Sequence, residues 1–353
     1  GIRQMLKKII SLLMFIVSGV CINAFSEPSA QMVKPETNAV IESLKKLVND
    51  YTEKVKRLDP FNAPYFNVEE DLPKFGNYLS PELKATTKAL VSDTLKELKK
   101  IDNSKLTEQA QITYDLFKED LENSLEGFDF PMEVLTIDHK STRLMSYLDD
   151  SSPNLAAFPF NTVKNYQDFV QRSSGFGAYI DRQIKVLQDG IKQKIVLNCE
   201  VAGKVPGTYV EGLNKDIEKN AFYRPLVQMP KEVSKKYKEK ITSDFKQMIV
   251  KNIIPGFEKF DHFFKTEYLP KCRKEFGYGT FPNGKKWYEY MVKVNTNTNK
   301  TPAEIHKIGL SEVARIKSEM LKIKERMKFK GDFKAFLKFL VEDPSSYFKS
   351  PKD

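Results

Sequence analysis

Residues 301–320 read TPAEIHKIGLSEVARIKSEM, and within them Glu304, His306 and Glu312 flank one imidazole with two carboxylates. An imidazole titrates near neutrality and ligates zinc, and a neighbouring carboxylate can orient it, exchange a proton with it or share its metal. The chemistry such a group suggests is therefore metal binding or acid–base work. Histidine is scarce: His139, His262 and His306 are the three in the chain, and no two lie near one another. Zinc sites commonly draw two ligands from one helix at a spacing such as H-x-x-x-H, because residues four apart share a face. No such pair occurs here, so a metal at His306 needs ligands from distant parts of the chain.

The same residues have a structural reading. Thr301 suits an N-cap, Pro302 the first helical position, and Glu304 the third, from which its carboxylate reaches back to close a capping box. The apolar stripe that follows is Ile305, Ile308, Val313, Ile316 and Met320, with Gly309 placed to let a neighbour approach. On this reading Glu304 is a helix-start residue and His306, beside the stripe, is a surface or half-buried helix histidine.

Other signatures fall short. GYGTFPNGKKWY places Gly279, Gly284 and Lys285 at the spacing of a phosphate-binding loop, but Lys286 stands where magnesium needs Ser or Thr, and no apolar strand precedes it. Pro282-Asn283-Gly284 reads as a turn. GFGAY, at 175–179, lacks the third glycine and the strand of a dinucleotide loop, and no G-x-S-x-G elbow is present.

The elements that must position any site are helices. Apolar residues at Val40, Ile41, Leu44, Leu47, Val48, Tyr51, Val55 and Leu58 make one stripe, which Asp59-Pro60 ends. Ser80-Pro81-Glu82 opens a second helix through Leu83, Leu90, Val91, Leu95, Leu98 and Ile101, and a third runs from about Leu106 to Leu125. The middle is broken by Pro, Gly, Asn and Ser and reads as loops or short extended pieces, apart from a helix over 176–195. A long apolar pattern then covers 230–269, and Pro255 inside it predicts a kink or break at Ile254. The fold class predicted is mainly α, with long amphipathic helices, irregular loops and few or no strands, over a single body from 37 to 353.

Hydrophobic residues at 41% and charged residues at 29% exclude a disordered chain. Basic Lys7 and Lys8 after Met5, an apolar run Ile9–Val20 too short to span a bilayer and a small residue at Ala24 have the order of a secretory leader. Cleavage after Ala24 leaves a flexible stretch 25–36, and Gly1 to Gln4 read as upstream of the start. The protein is thus expected to be exported, periplasmic or secreted, meeting the membrane through its leader alone. Val20 and Ser18 before Cys21 disfavour a lipoprotein. Losing residues 1–24 removes Arg3, Lys7 and Lys8 and no acid, which lowers the net charge from +10 by three to +7. That excess is spread among interleaved acids, as in KKYKEKITSDFK, so a solvated surface is expected and no nucleic-acid partner. Cys199 and Cys272 can pair in an oxidising compartment or remain buried thiols, and the spacing leaves both open.

The run GYGTFPNGKKWYEYMVKVNTNTNKTPAEIHKIGLSEVARIKSEM resembles the most recognisable segment of a bacterial family catalogued as domain of unknown function 885. YIDRQIKVLQDGIKQKIV and IIPGFEKFDHFFKTEYLPKCR resemble further elements of it, and the likeness covers most of 37–349. The resemblance implies an exported, largely helical protein similar to zinc metallopeptidases, with a deep cleft and a peptide-like substrate. The family's His-Glu and Pro-Gly-His elements and its Glu-Gly-Trp element belong to a C-terminal half that these 353 residues do not contain. The expectation is an N-terminal portion, inactive alone, with no catalytic residue and no cofactor of its own, and zinc in the full-length protein. Tyr288, Asn295, Thr296, Thr298 and His306 match the family segment and are the candidates for contacting substrate. The rival class is a non-catalytic helical binding protein of the envelope.

Overall fold

The computed structural model describes residues 35–140, 142–152, 157–344, 347–348 and 350. The expected leader and the stretch 25–34 lie outside them. The chain falls into two compact units, one ending at Gly284 and one starting at Lys285.

In the first unit, α1 (Pro35–Leu58), α2 (Pro81–Leu98) and α3 (Glu108–Gly127) lie where the spacing places them. Ser80 caps α2 by accepting the Leu83 N–H at 3.1 Å, and Thr107 starts α3 in the same way. Their stripes meet in a small core of Leu44, Val48, Tyr51, Val91, Leu95, Leu98, Tyr114, Phe117 and Leu121. Burial of these side chains offsets the entropy lost in ordering the three helices, since each contributes about 1.5–3 kcal/mol when fully buried.

The larger core is aromatic. Here α4 (Arg143–Asp150), α5 (Val163–Ser173), α6 (Phe176–Lys192), α7 (Lys235–Met248) and α8 (Ile254–Phe263) surround Phe75, Tyr147, Phe169, Phe176, Phe222 and Phe257. Ring centroids stand 5.0 Å apart for Phe75–Tyr147 and 4.9 Å for both Tyr147–Phe222 and Phe176–Phe257, the tilted and edge-on contacts that aromatic quadrupoles favour. Two glycines admit these rings. A Cβ on Gly256 would sit 2.5 Å from the Phe176 ring, and one on Gly212 would sit 2.5 Å from the Phe257 ring.

Two expectations for the middle of the chain are refined. Of the kink or break expected at Ile254, a full break does not occur: Ile254 keeps helical dihedrals (φ −56, ψ −49), and the α pattern is interrupted instead by a wide π turn, Ile249–Ile253, which lets the Ile254 N–H donate to the Ile249 carbonyl. A π turn is one way for a helix to accommodate a proline, which has no N–H to donate and whose ring crowds the carbonyl four residues back. A second π turn, Phe264–Tyr268, follows α8. The broken middle is more helical than its composition suggests, since α4 and α5 occupy it, each started by a threonine, Thr142 and Thr162. Among the described residues no strand forms, and one isolated parallel bridge joins Asn198 to Arg273. At that bridge Cys199 and Cys272 are joined by a disulfide, with Cα atoms 5.0 Å apart.

The second unit holds α9 (Gly284–Thr296), α10 (Pro302–Arg326) and α11 (Phe333–Glu342). Trp287, Tyr290 and Phe336 are buried, and Phe336 packs against Phe329 at 5.4 Å. The stripe of α10 departs from expectation, because no residue of that helix is buried. Val313 is 66% exposed and Leu310 61%, and a Cβ on Gly309 would meet nothing within 4 Å. Among the described residues, therefore, none makes a close approach at Gly309.

Candidate functional site

The residues singled out by sequence lie in the second unit, on α9, α10 and the turn between them. Tyr288 is 47% exposed on α9. Asn295 donates its amide N–H to the Met291 carbonyl at 2.7 Å, and Thr296 donates its hydroxyl to the Val292 carbonyl at 2.8 Å. Asn297 takes the left-handed conformation (φ 49) that ends the helix. Thr298 then turns back, its Oγ1 lying 3.3 Å from that of Thr296 and accepting the Lys300 N–H at 3.1 Å. Thr296 and Thr298 are thus brought together.

At the start of α10 the capping box forms as the spacing predicts. The Thr301 Oγ1 accepts the Glu304 N–H at 3.2 Å, and the Glu304 carboxylate accepts the Thr301 N–H at 2.7 Å. Those hydrogen bonds hold the Glu304 carboxyl below its ordinary pKa, because they favour the charged form. Glu312 is likewise lowered, first by its hydrogen bond to Arg315. Both carboxylates are engaged with their own helix, and His306 stands exposed beside them. An acid–base trio is therefore not assembled at Glu304, His306 and Glu312.

Zinc finds no fit either. His139 lies in the loop before α4, His262 is exposed on α8 and His306 on α10, and among the described residues no group of three His, Cys, Asp or Glu side chains could hold a metal ion. The two cysteines that fall among the described residues are consumed by the disulfide.

Buried charge gathers instead in the first unit. Arg172 on α5 and Asp150 at the end of α4 are both fully buried, with Nη2 and Oδ2 3.7 Å apart. The arginine spends its hydrogen bonds on the chain: Nη1 donates to the Lys74 carbonyl at 2.9 Å and Nη2 to the Phe61 carbonyl at 2.6 Å. The Phe61 ring lies against the guanidinium, 4.4 Å from Cζ. Asp150 accepts a long 3.5 Å bond from the Tyr65 hydroxyl, and its Oδ2 has no hydrogen-bond partner. Burial pushes the Asp150 carboxyl up to about 7 despite the arginine, and burial likewise lowers Arg172. For both partners desolvation outweighs attraction, as expected of an ion pair that is close but not hydrogen-bonded. Nearby, Arg143 is sandwiched between the Phe61 and Tyr78 rings at 4.2 and 3.9 Å and pairs with Asp59 at 2.6 Å.

Sequence reasoning missed this cluster, although a signal was present. In VKNYQDFVQRS, Tyr166, Phe169 and Arg172 recur at three-residue steps, which places an arginine on the apolar face of α5. A charge in that position demands a buried partner. What the cluster does is structural: it ties the 60–75 loop to α4 and α5, and its side chains face rings and carbonyls.

The chain matches the family model described as "Bacterial protein of unknown function (DUF885)" over residues 60–353. A search of curated proteins finds no match. Among solved structures, a crystal structure of a "putative lipoprotein" from Colwellia psychrerythraea is similar, with a TM-score of 0.69 at 17% identity. The alignment covers 87% of this chain and 55% of that one. At that identity the likeness is one of fold, and the chain spans about half the length of the structure it matches.

Proposed function

The chain belongs to the DUF885 family, and from that premise we propose that it forms the helical body and one cleft wall of an exported zinc-peptidase-like hydrolase whose metal-binding residues lie outside these 353 positions. The observation that carries this reading is the open stripe of α10. A helix patterned for burial over Ile308, Val313 and Ile316 leaves all three exposed at 43%, 66% and 48%. Contiguous apolar surface of this kind is characteristic of a face that another part of the structure covers. A fold likeness that reaches 55% of the Colwellia chain supplies a candidate for what covers it, namely the remainder of the same domain.

Export is supported by the basic-then-apolar order of the leader, by a disulfide between Cys199 and Cys272, and by a structural neighbour named as a lipoprotein. Among the described residues no His, Cys, Asp and Glu side chains group to hold zinc, and no catalytic step is assigned to them. Their proposed task is to hold a peptide-like substrate. Thr296 and Thr298 each keep acceptor capacity beyond their local hydrogen bonds, while Tyr288 and His306 offer an exposed ring and an exposed imidazole.

Metal analysis together with a peptide-cleavage assay tests the reading. The purified chain is expected to carry no stoichiometric zinc and to cleave no peptide, whereas a longer DUF885 polypeptide that includes the His-Glu and Pro-Gly-His elements is expected to bind zinc and to cleave peptides. One tightly held zinc per chain in the 353-residue protein would overturn it.

A further inference from the structure

We propose that the Cys199–Cys272 bridge is a redox-responsive clamp on the segment 273–283, whose hold on the rest of the first unit depends on the covalent bond. No residue of 274–283 is a member of the aromatic core, and Lys274, Glu275, Phe276 and Gly277 are exposed, Phe276 by 68%. The segment has a small nucleus of its own, in which Arg273 lies 4.1 Å from the Phe281 ring centre and donates to the Gly277 carbonyl at 2.8 Å. That nucleus is fastened to residues 196–199 by polar contacts. Arg273 donates its backbone N–H to the Leu197 carbonyl at 3.0 Å and its Nε to the Val196 carbonyl at 3.0 Å. Cys199 donates to the Arg273 carbonyl at 2.9 Å, and the Asn198 amide donates to the Lys274 carbonyl at 3.1 Å.

Polar contacts at a half-exposed edge exchange with water at little net cost. The disulfide does not exchange with water, and it joins cysteines 73 positions apart in sequence, so it keeps the contacts at high effective concentration. Cys199 and Cys272 are half-buried, within reach of a small dithiol. In the reduction, one thiolate of the dithiol attacks a bridge sulfur to form a mixed disulfide. Its second thiolate closes the dithiol's own disulfide, and two protons restore both cysteines as thiols. Cys272 packs against the edge of the aromatic core, but the ring-to-ring contacts that build that core involve neither cysteine, so the core keeps its packing and the response is local.

Limited trypsin digestion of the full chain, oxidised and after treatment with a dithiol, reads the clamp at Arg273 and Lys274. Release of the segment is expected to raise cleavage there by about tenfold or more while near-ultraviolet circular dichroism of the aromatic core is retained. Cys272→Ser is expected to behave as the reduced protein, and Asn198→Ala in the oxidised protein to stay protected. Equal cleavage in the two redox states would overturn the proposal, because the polar contacts would then suffice. Loss of the near-ultraviolet signal on reduction would overturn it as well, because the bridge would then hold the whole core. If Cys272→Ser fails to fold, reduction of the folded protein decides between these outcomes.

Discussion

The two units treat similar sequence patterns in opposite ways. In the first, a helical stripe such as Tyr166, Phe169 and Arg172 is buried so completely that even its arginine has no exposure. In the second, the equally regular stripe of α10 has no buried member. The pattern alone does not distinguish them, because periodicity reports which side of a helix is apolar and leaves open whether anything arrives to cover it. The difference teaches that function here is to be sought where coverage is incomplete, while buried charge marks where the fold is most tightly tied.

The sharpest way to break that contrast is at Arg172. Arg172→Ala strands Asp150 without its cation and leaves the Lys74 and Phe61 carbonyls unpaired, and it is expected to cost about 3–5 kcal/mol in urea unfolding of the first unit. Replacing both partners with Arg172→Met and Asp150→Leu is expected to recover most of that loss, since a well-packed apolar pair needs no desolvation. A small effect of the single change would show the cluster to be wetter than its burial implies.

Next in size is the pH dependence that Asp150 imposes. Its folded pKa, about 7, lies above the ordinary 3.8, so the folded state keeps a proton that the unfolded state has already released. Stability is therefore highest below the unfolded pKa and declines as pH rises through the window from about 4 to about 7. Asp150→Asn, which removes the titrating group, is expected to flatten this decline, read from unfolding midpoints across pH. A parallel decline in the variant would assign the effect to other groups.

In the second unit the expected effects shrink. Thr301→Ala removes one half of the capping box and is expected to cost about 1 kcal/mol, confined to the first turn of α10 and visible as faster amide exchange there. Smallest of all, Val313→Lys is expected to leave the chain's unfolding midpoint within about 0.5 kcal/mol of the parent, because its side chain is already in water. A severe loss on Val313→Lys would place that stripe in a core and erase the contrast between the units.

Much of this protein is legible in the amino-acid sequence by itself. Local signals such as Ser80-Pro81 before α2 and Thr301 to Glu304 before α10 work over three or four residues, where backbone N–H groups and side-chain oxygens meet whatever the rest of the chain does. The turn at Asn283, with φ 58, is equally local. The mainly helical class and the family resemblance are legible for the same reason, since they rest on patterns repeated along the chain. Where local cues understate the helix, as at Thr142 and Thr162, the helices are short and set among loop-rich neighbours.

Tertiary structure alone decided the long-range matters. It brought Cys199 to Cys272, set Arg172 against Asp150, and carried the chain through Pro255 on a π turn. Each depends on groups that come together only after helices pack, and sequence separation contains no information on that geometry. The same holds for the candidate site. Sequence picked out Tyr288, Asn295, Thr296, Thr298 and His306 as a recognisable segment, and the structure showed that Thr296 and Thr298 meet while Glu304 and Glu312 are held by their own helix. Side-chain type and spacing determined what these residues are able to do, and packing decided which of those abilities remain free.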